Sequence, residues 1–385
     1  MRQGGAGGPS SFESDKMAAA GAFRTWRMRA SLCRMNAIRT LAITLALLAG
    51  GTATAQDKGT LDPKPLPPLA NPGDPRLAAK ELFGRRATPA DLRSRSIGGY
   101  ARGCVAGAAA IPVDGENWQV MRLSRNRNWG HPQMIGFLQR FATRLPAVNG
   151  WPGLLVGDIS QPRGGPMITG HASHQIGLDA DIWLTPMPNR RLSRAEREEM
   201  SATNVVRSDW LDIDPARWTP QHTALIRAAA SERSVARIFV NPAIKKALCR
   251  EAGADRGWLT KVRPTWGHNY HFHIRLACPA GEAGCSDQDP PPGGDGCGAD
   301  LAAWFTPEML FPKPGKPRPP LTMAQLPTEC HRVLEAPCAA LKTKRPAGAP
   351  EAPAALFDRP GRIAGYSAAT PTPIWHDTPV PPRPQ

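Results

Sequence analysis

The sequence predicts an α+β fold: a single domain with a mostly antiparallel sheet, flanked by helices and by long loops tied down by disulfides. Three observations predict it. Capped helical segments and short strand-like runs are mixed without the regular βαβ alternation of a parallel sheet. The 42 prolines and 37 glycines among 385 residues collect at the chain ends and in a few loops, and 41% hydrophobic residues leave material for a sizeable core. Of 8 cysteines, all but Cys33 lie beyond an export signal, where disulfides are expected.

Taken in order, residues 1–55 are an upstream extension plus a signal peptide. A basic stretch from Met28, a short apolar run Leu41–Ala49 and Ala53-Thr54-Ala55 before Gln56 make a secretory leader cleaved after Ala55. Residues 56–75 are a Pro-rich lead-in, 76–340 the folded domain, and 341–385 a Pro-rich tail without apolar period, expected to be disordered. Within the domain, His131-Pro132 opens an amphipathic helix carrying Ile135, Leu138 and Phe141 on one face. Ser193 with Glu196 forms a capping box. Thr219-Pro220 and Asn241-Pro242 each place a cap before a proline at the first helical position. Strand-like runs lie at Gln119–Leu123, Gly153–Ile159, Leu178–Leu184, Val235–Val240 and Tyr270–Leu276.

The net charge of +16 is partly carried by the two ends, and the body is moderately basic. That suits an anionic polymer, either nucleic acid or an acidic cell-wall glycan. Secretion disfavours nucleic acid. No run of about 20 apolar residues exists, which excludes a polytopic membrane protein, and stable membrane insertion is not expected.

Five of 9 histidines fall in two windows, Gly170–Trp183 and Trp266–Leu276. If the second is a strand, Tyr270, Phe272, Ile274 and Leu276 face the core, and His271, His273 and Arg275 face a cleft. In the first, Leu178, Ala180, Ile182 and Leu184 are buried, and Asp179 and Asp181 face the other way. On a continuous helix His174 and Asp181 would stand about 10.5 Å apart along the axis. A turn at Gly177 followed by a strand brings them together. His174, Asp181 and His273 are then a two-imidazole, one-carboxylate set suited to Zn²⁺ with one position left for water. Asp179 is placed to hydrogen-bond a ligand imidazole. Without an HExxH motif there is no helix glutamate to act as base, and His271 is the best-placed proton acceptor. Arg275 is open to a substrate carboxylate or to a salt bridge within the fold, and Trp266 and Tyr270 read as wall and core.

Arg163-Gly164-Gly165-Pro166, His171–Ile182, Val240–Lys245, Val262-Arg263-Pro264 and His268–Leu276 together resemble the penicillin-insensitive murein endopeptidases, within the wider lysostaphin, D-Ala-D-Ala peptidase and Hedgehog-like zinc fold. The resemblance runs over roughly 76–335. It implies a periplasmic zinc metallo-endopeptidase that hydrolyses D-alanyl-meso-diaminopimelyl cross-bridges of peptidoglycan. By motif it implies His174, Asp181 and His273 as zinc ligands, with His171 near the metal as a further candidate ligand. His271 would stand beside the attacking water, and His268 would orient or stabilise the oxyanion. It also implies the disulfides Cys104–Cys330, Cys249–Cys297 and Cys278–Cys285, with Cys338 outside them. A second metal site of the family is not carried over, because Arg207–Asp214 offers Asp209, Asp212 and Asp214 but no histidine. The same metal set would serve a D,D- or L,D-carboxypeptidase on stem peptides. A non-catalytic wall-binding protein would be expected to lack a ligand, and none is missing.

Overall fold

The computed structural model describes residues 58–312 and 319–339. The upstream extension, the leader at 28–55 and the tail at 341–385 lie outside the described residues. The lead-in is described from Lys58 and docks on the body, with Gly59 N–H donating to Glu198 O at 2.9 Å and Thr60 N–H to Ser124 Oγ at 3.1 Å.

A six-stranded sheet runs in the spatial order Trp118–Val120, Leu154–Val156, Asp179–Trp183, His271–Leu276, Val235–Val240, Val262–Pro264. Its three inner pairings are antiparallel, and the two outermost are parallel. The mixed helix-and-sheet class and the antiparallel centre agree with the sequence reading. Each expected strand forms: Val235–Val240 has the expected bounds, Trp118–Val120 starts one residue earlier than expected and ends at Val120, and the other three are trimmed. Val262–Pro264 adds an edge that alternation could not reveal in three residues. A hairpin, Arg95–Gly99 with Arg102–Ala106, was also not foreseen. Its glycine-rich strands are held by distant partners, with Tyr100 Oη donating to Leu276 O at 2.7 Å and Cys104 joined to Cys330.

The helices begin where the caps put them. His131 caps Pro132–Asn149, accepting at Nδ1 from Gln133 N–H at 3.1 Å, and Gly150 ends that helix in the left-handed region at φ 76°. Both bonds of the Ser193/Glu196 capping box are made. Asn241 caps Pro242–Glu251 through Ala243 N–H at 3.0 Å. The Pro132–Asn149 helix lays Met134, Phe137, Leu138, Phe141 and Leu145 into one core with Ile182, Ile238, Phe272 and Ile274 of the sheet. Burial of that face drives the docking, at about 1.5–3 kcal/mol per large apolar side chain.

Three disulfides link Cys104–Cys330, Cys249–Cys297 and Cys278–Cys285, the pairs that the resemblance implied. The first binds the closing helix Glu329–Glu335 to the hairpin across 226 residues of sequence. Among the described residues no helix is long and apolar enough to cross a membrane.

Candidate metal centre

Strand alternation puts the polar face of the sheet together. In the antiparallel register His273 lies opposite Asp181, Arg275 opposite Asp179 and His271 opposite Trp183. On the far side His273 lies opposite Phe239, whose ring meets its imidazole edge-on at 5.2 Å. The core-facing partners Phe272, Ile274, Leu276, Ala180 and Ile182 are wholly buried. Tyr270 departs from the expected alternation. It precedes the strand, which starts at His271, and is half-buried beside the His271 ring at 4.6 Å.

The first histidine window reaches this face by a turn. Gly177 adopts φ 73°, and a Cβ there would come within 2.7 Å of His131 N. His174 itself stands at φ 65° and His268 at φ 55°. For non-glycine residues this is strained backbone of the kind held where a site needs it.

The result is a buried cluster. His174 Nε2 lies 3.1 Å from His273 Nδ1 and 3.4 Å from Asp181 Oδ1, and His273 Nδ1 lies 3.3 Å from that same oxygen. His174 Nδ1 lies 2.6 Å from Ile159 O and donates to it, so Nε2 carries the lone pair. His273 Nε2 faces Asp179 Oδ1 at 3.0 Å, close enough for an ionic contact but off the line of a good hydrogen bond. Asp181 Oδ1 is buried and has no hydrogen-bond donor. His174 Nε2, His273 Nδ1 and Asp181 Oδ1 thus converge on one point, where a cation would satisfy the buried carboxylate oxygen that no hydrogen bond reaches. His171, His174 and Asp181 each offer a ligand atom within 4.8 Å of the others, so the donor set can hold a divalent ion. His171 Nδ1 lies 3.5 Å from Asp181 Oδ2.

Asp179 braces the cluster. It accepts from Arg275 Nε at 2.8 Å, Arg275 Nη2 at 3.1 Å and His174 N–H at 2.9 Å. Burial pushes its carboxyl upward, but Arg275 and His273 outweigh that and hold it well below the ordinary value of 3.8. Arg275 is thereby committed to the fold and is not free to meet a substrate. Arg237 and Arg263 stand on the same sheet face, opposite Arg275 and Phe239 respectively.

His271 Nε2 lies 3.7 Å from Asp181 Oδ2, and its Nδ1 is buried without a hydrogen-bond partner. Burial brings its imidazole down to about 4, against a smaller upward pull from Asp181, so it is neutral at pH 7. His268 packs 4.8 Å from the His271 ring, with Nδ1 2.7 Å from Trp266 O. Burial, followed by its histidine neighbours, holds it well below 6.5. Trp266 is half-buried and meets Trp304 edge-on at 5.7 Å.

Sequence reasoning missed Asp158, which is buried and holds His171 Nε2 at 2.9 Å. Its signal was an acid closing the apolar run Leu154-Leu155-Val156, where a strand of the core should stay apolar.

Against known proteins, residues 96–335 match the penicillin-insensitive murein endopeptidase family. The chain is 47% identical over 241 residues to the penicillin-insensitive murein endopeptidase of Yersinia enterocolitica, covering 63% of this chain and 86% of that one. It is 48% identical over 249 residues to the protein of the same name from Haemophilus influenzae, covering 64% and 85%. With that of Klebsiella pneumoniae the identity is 46% over 244 residues, covering 63% and 86%.

Proposed function

This chain belongs to the penicillin-insensitive murein endopeptidase family, and from that premise we propose a zinc metallo-endopeptidase that hydrolyses D-alanyl-meso-diaminopimelyl cross-bridges of peptidoglycan in the periplasm. The observation that carries the metal is the triangle of His174 Nε2, His273 Nδ1 and Asp181 Oδ1, with edges of 3.1, 3.3 and 3.4 Å. A tetrahedral ion with ligand bonds of about 2.0–2.2 Å sets its ligand atoms roughly 3.3–3.5 Å apart. The orphaned Asp181 oxygen fits the same reading. His174, Asp181 and His273 would hold the ion, with His171 beside it as a further candidate ligand.

When bound, zinc supplies Lewis acidity, making water acidic enough to attack near neutral pH and polarising the scissile carbonyl. The rest falls to the chain's own residues. His271 is neutral, and the ring nitrogen turned toward the ligand cluster is Nε2, 3.7 Å from Asp181 Oδ2; that nitrogen would accept the proton of the attacking water and return it to the leaving amine. Asp181 is the weaker base: burial pushes its carboxyl up, but His271, His174 and His171 together outweigh that and hold it well below 3.8. His268, with its Nδ1 proton given to Trp266 O and no charge at pH 7, orients His271 rather than donating to an oxyanion. Arg275 holds Asp179 in place, and Asp179 sets its negative charge beside His273 Nε2 at 3.0 Å. The positive charges of Arg237 and Arg263 on the same face suit stem peptides, which carry free carboxylates. No serine or cysteine nucleophile is involved, so a β-lactam has nothing to acylate.

The test is metal analysis of the purified protein, then mass spectrometry of digested cross-linked muropeptides. The expected result is one zinc per chain and conversion of dimers to monomers. A protein that binds no zinc, or that trims monomeric stems and leaves dimers intact, overturns the proposal.

A further inference from the structure

Asp158 lies just past the Leu154–Val156 strand and is 4% exposed. Three donors converge on its Oδ2: Arg127 Nη1 at 2.8 Å, Arg125 Nη1 at 3.2 Å and a ring nitrogen of His171, Nε2, at 2.9 Å. Its backbone carbonyl accepts Asp181 N–H at 2.9 Å. One residue therefore touches two members of the metal centre, one through its main chain and one through its carboxylate. Arg127 also donates to Thr169 O at 2.8 Å, which ties the loop leading into His171 to the same anchor.

We propose that Asp158 is a positioning residue that fixes the tautomer and ring orientation of His171 and so presents His171 Nδ1 to the metal. A carboxylate can only accept, so the His171 nitrogen facing it must carry the proton. In a neutral imidazole the lone pair is then on Nδ1, the nitrogen that looks toward Asp181 Oδ2 at 3.5 Å. Arg125 and Arg127 donate to the same carboxylate oxygen at 3.2 and 2.8 Å, so Oδ2 is an acceptor for every group that meets it. His171 is the most exposed imidazole among the candidate ligands, with its side chain 22% exposed against 0% and 5% for His174 and His273. It is the one that its surroundings hold least, and it gains most from a fixed partner.

This inference rests on the zinc reading, and its test separates the two. Zinc affinity is measured by chelator competition on the full chain, Asp158→Ala, His171→Ala and the double variant. Loss of an outer partner of this kind costs about 10–100-fold in metal affinity, and that weakening is expected for Asp158→Ala. In the His171→Ala background the same substitution should change affinity by no more than about two-fold, because the residue acts through His171. Equal weakening in both backgrounds, or none in the unaltered background, overturns the inference. If Asp158→Ala does not fold, ¹⁵N shifts of labelled histidine in the unaltered zinc-loaded chain decide. His171 protonated at Nε2 supports the inference, and protonation at Nδ1 overturns it. Absence of zinc from the unaltered chain would instead sink the proposed function.

Discussion

Replacing Asp179 by asparagine separates the structural from the metal-related demands on this site. Its carboxylate is wholly buried and meets two Arg275 nitrogens at 2.8 and 3.1 Å, His174 N–H at 2.9 Å and His273 Nε2 at 3.0 Å. Asparagine keeps the shape, removes the charge and turns an amide donor toward other donors. Arg275, whose side chain is 9% exposed, is left as an uncompensated buried cation, at a cost of about 3–5 kcal/mol. Against total stabilities of about 5–15 kcal/mol this is a large fraction, readable by urea denaturation of the zinc-free protein. Adding Arg275→Met removes the stranded charge and replaces it with apolar volume, so most of the lost stability should return. Zinc affinity should not return, because His273 Nε2 still lacks its carboxylate; a deficit of about 10–100-fold is expected. The reasoning fails if the single substitution costs less than about 1 kcal/mol, if the double variant is no more stable than the single, or if zinc affinity recovers with stability.

Other consequences can be checked directly. His174→Ala and His273→Ala should each lose zinc and muropeptide cleavage while keeping the folded circular-dichroism spectrum. Activity surviving either change contradicts the ligand assignment. Phe272→Ala, at a wholly buried position behind the two strand histidines, should cost about 3–5 kcal/mol, read as a shifted denaturation midpoint. Lys245 is wholly buried, its ammonium donating to Leu259 O at 2.8 Å and Asp295 O at 2.5 Å. Burial, reinforced by Arg263, lowers it from 10.5 to about 7. Between those values the unfolded chain holds a proton that the folded chain lacks, so this group makes stability rise with pH across that window. Denaturation at several pH values should show that rise flattened in Lys245→Met. Removing the Cys104–Cys330 link, which spans 226 residues, should cost at most about 5 kcal/mol on chain-entropy grounds and loosen the closing helix, seen as faster amide exchange in Glu329–Glu335.

What the sequence determined alone was local in origin. Alternation assigned Phe272, Ile274, Ala180 and Ile182 to the core and His271, His273, Asp179 and Asp181 to the opposite face, because side chains on a strand must alternate. Caps and first-turn prolines located the helix starts, because they satisfy or remove donors that a helix leaves open. The clustering of histidines made a metal the leading reading, and the resemblance supplied the cysteine pairs. Tertiary structure alone decided that Arg275 is bound to Asp179, that Tyr270 stands outside the strand, and that Asp158 reaches across to His171. Those contacts join residues 13 to 96 positions apart. Their existence depends on strand register and loop path, which are fixed by packing of the whole core and leave no period or spacing in the sequence.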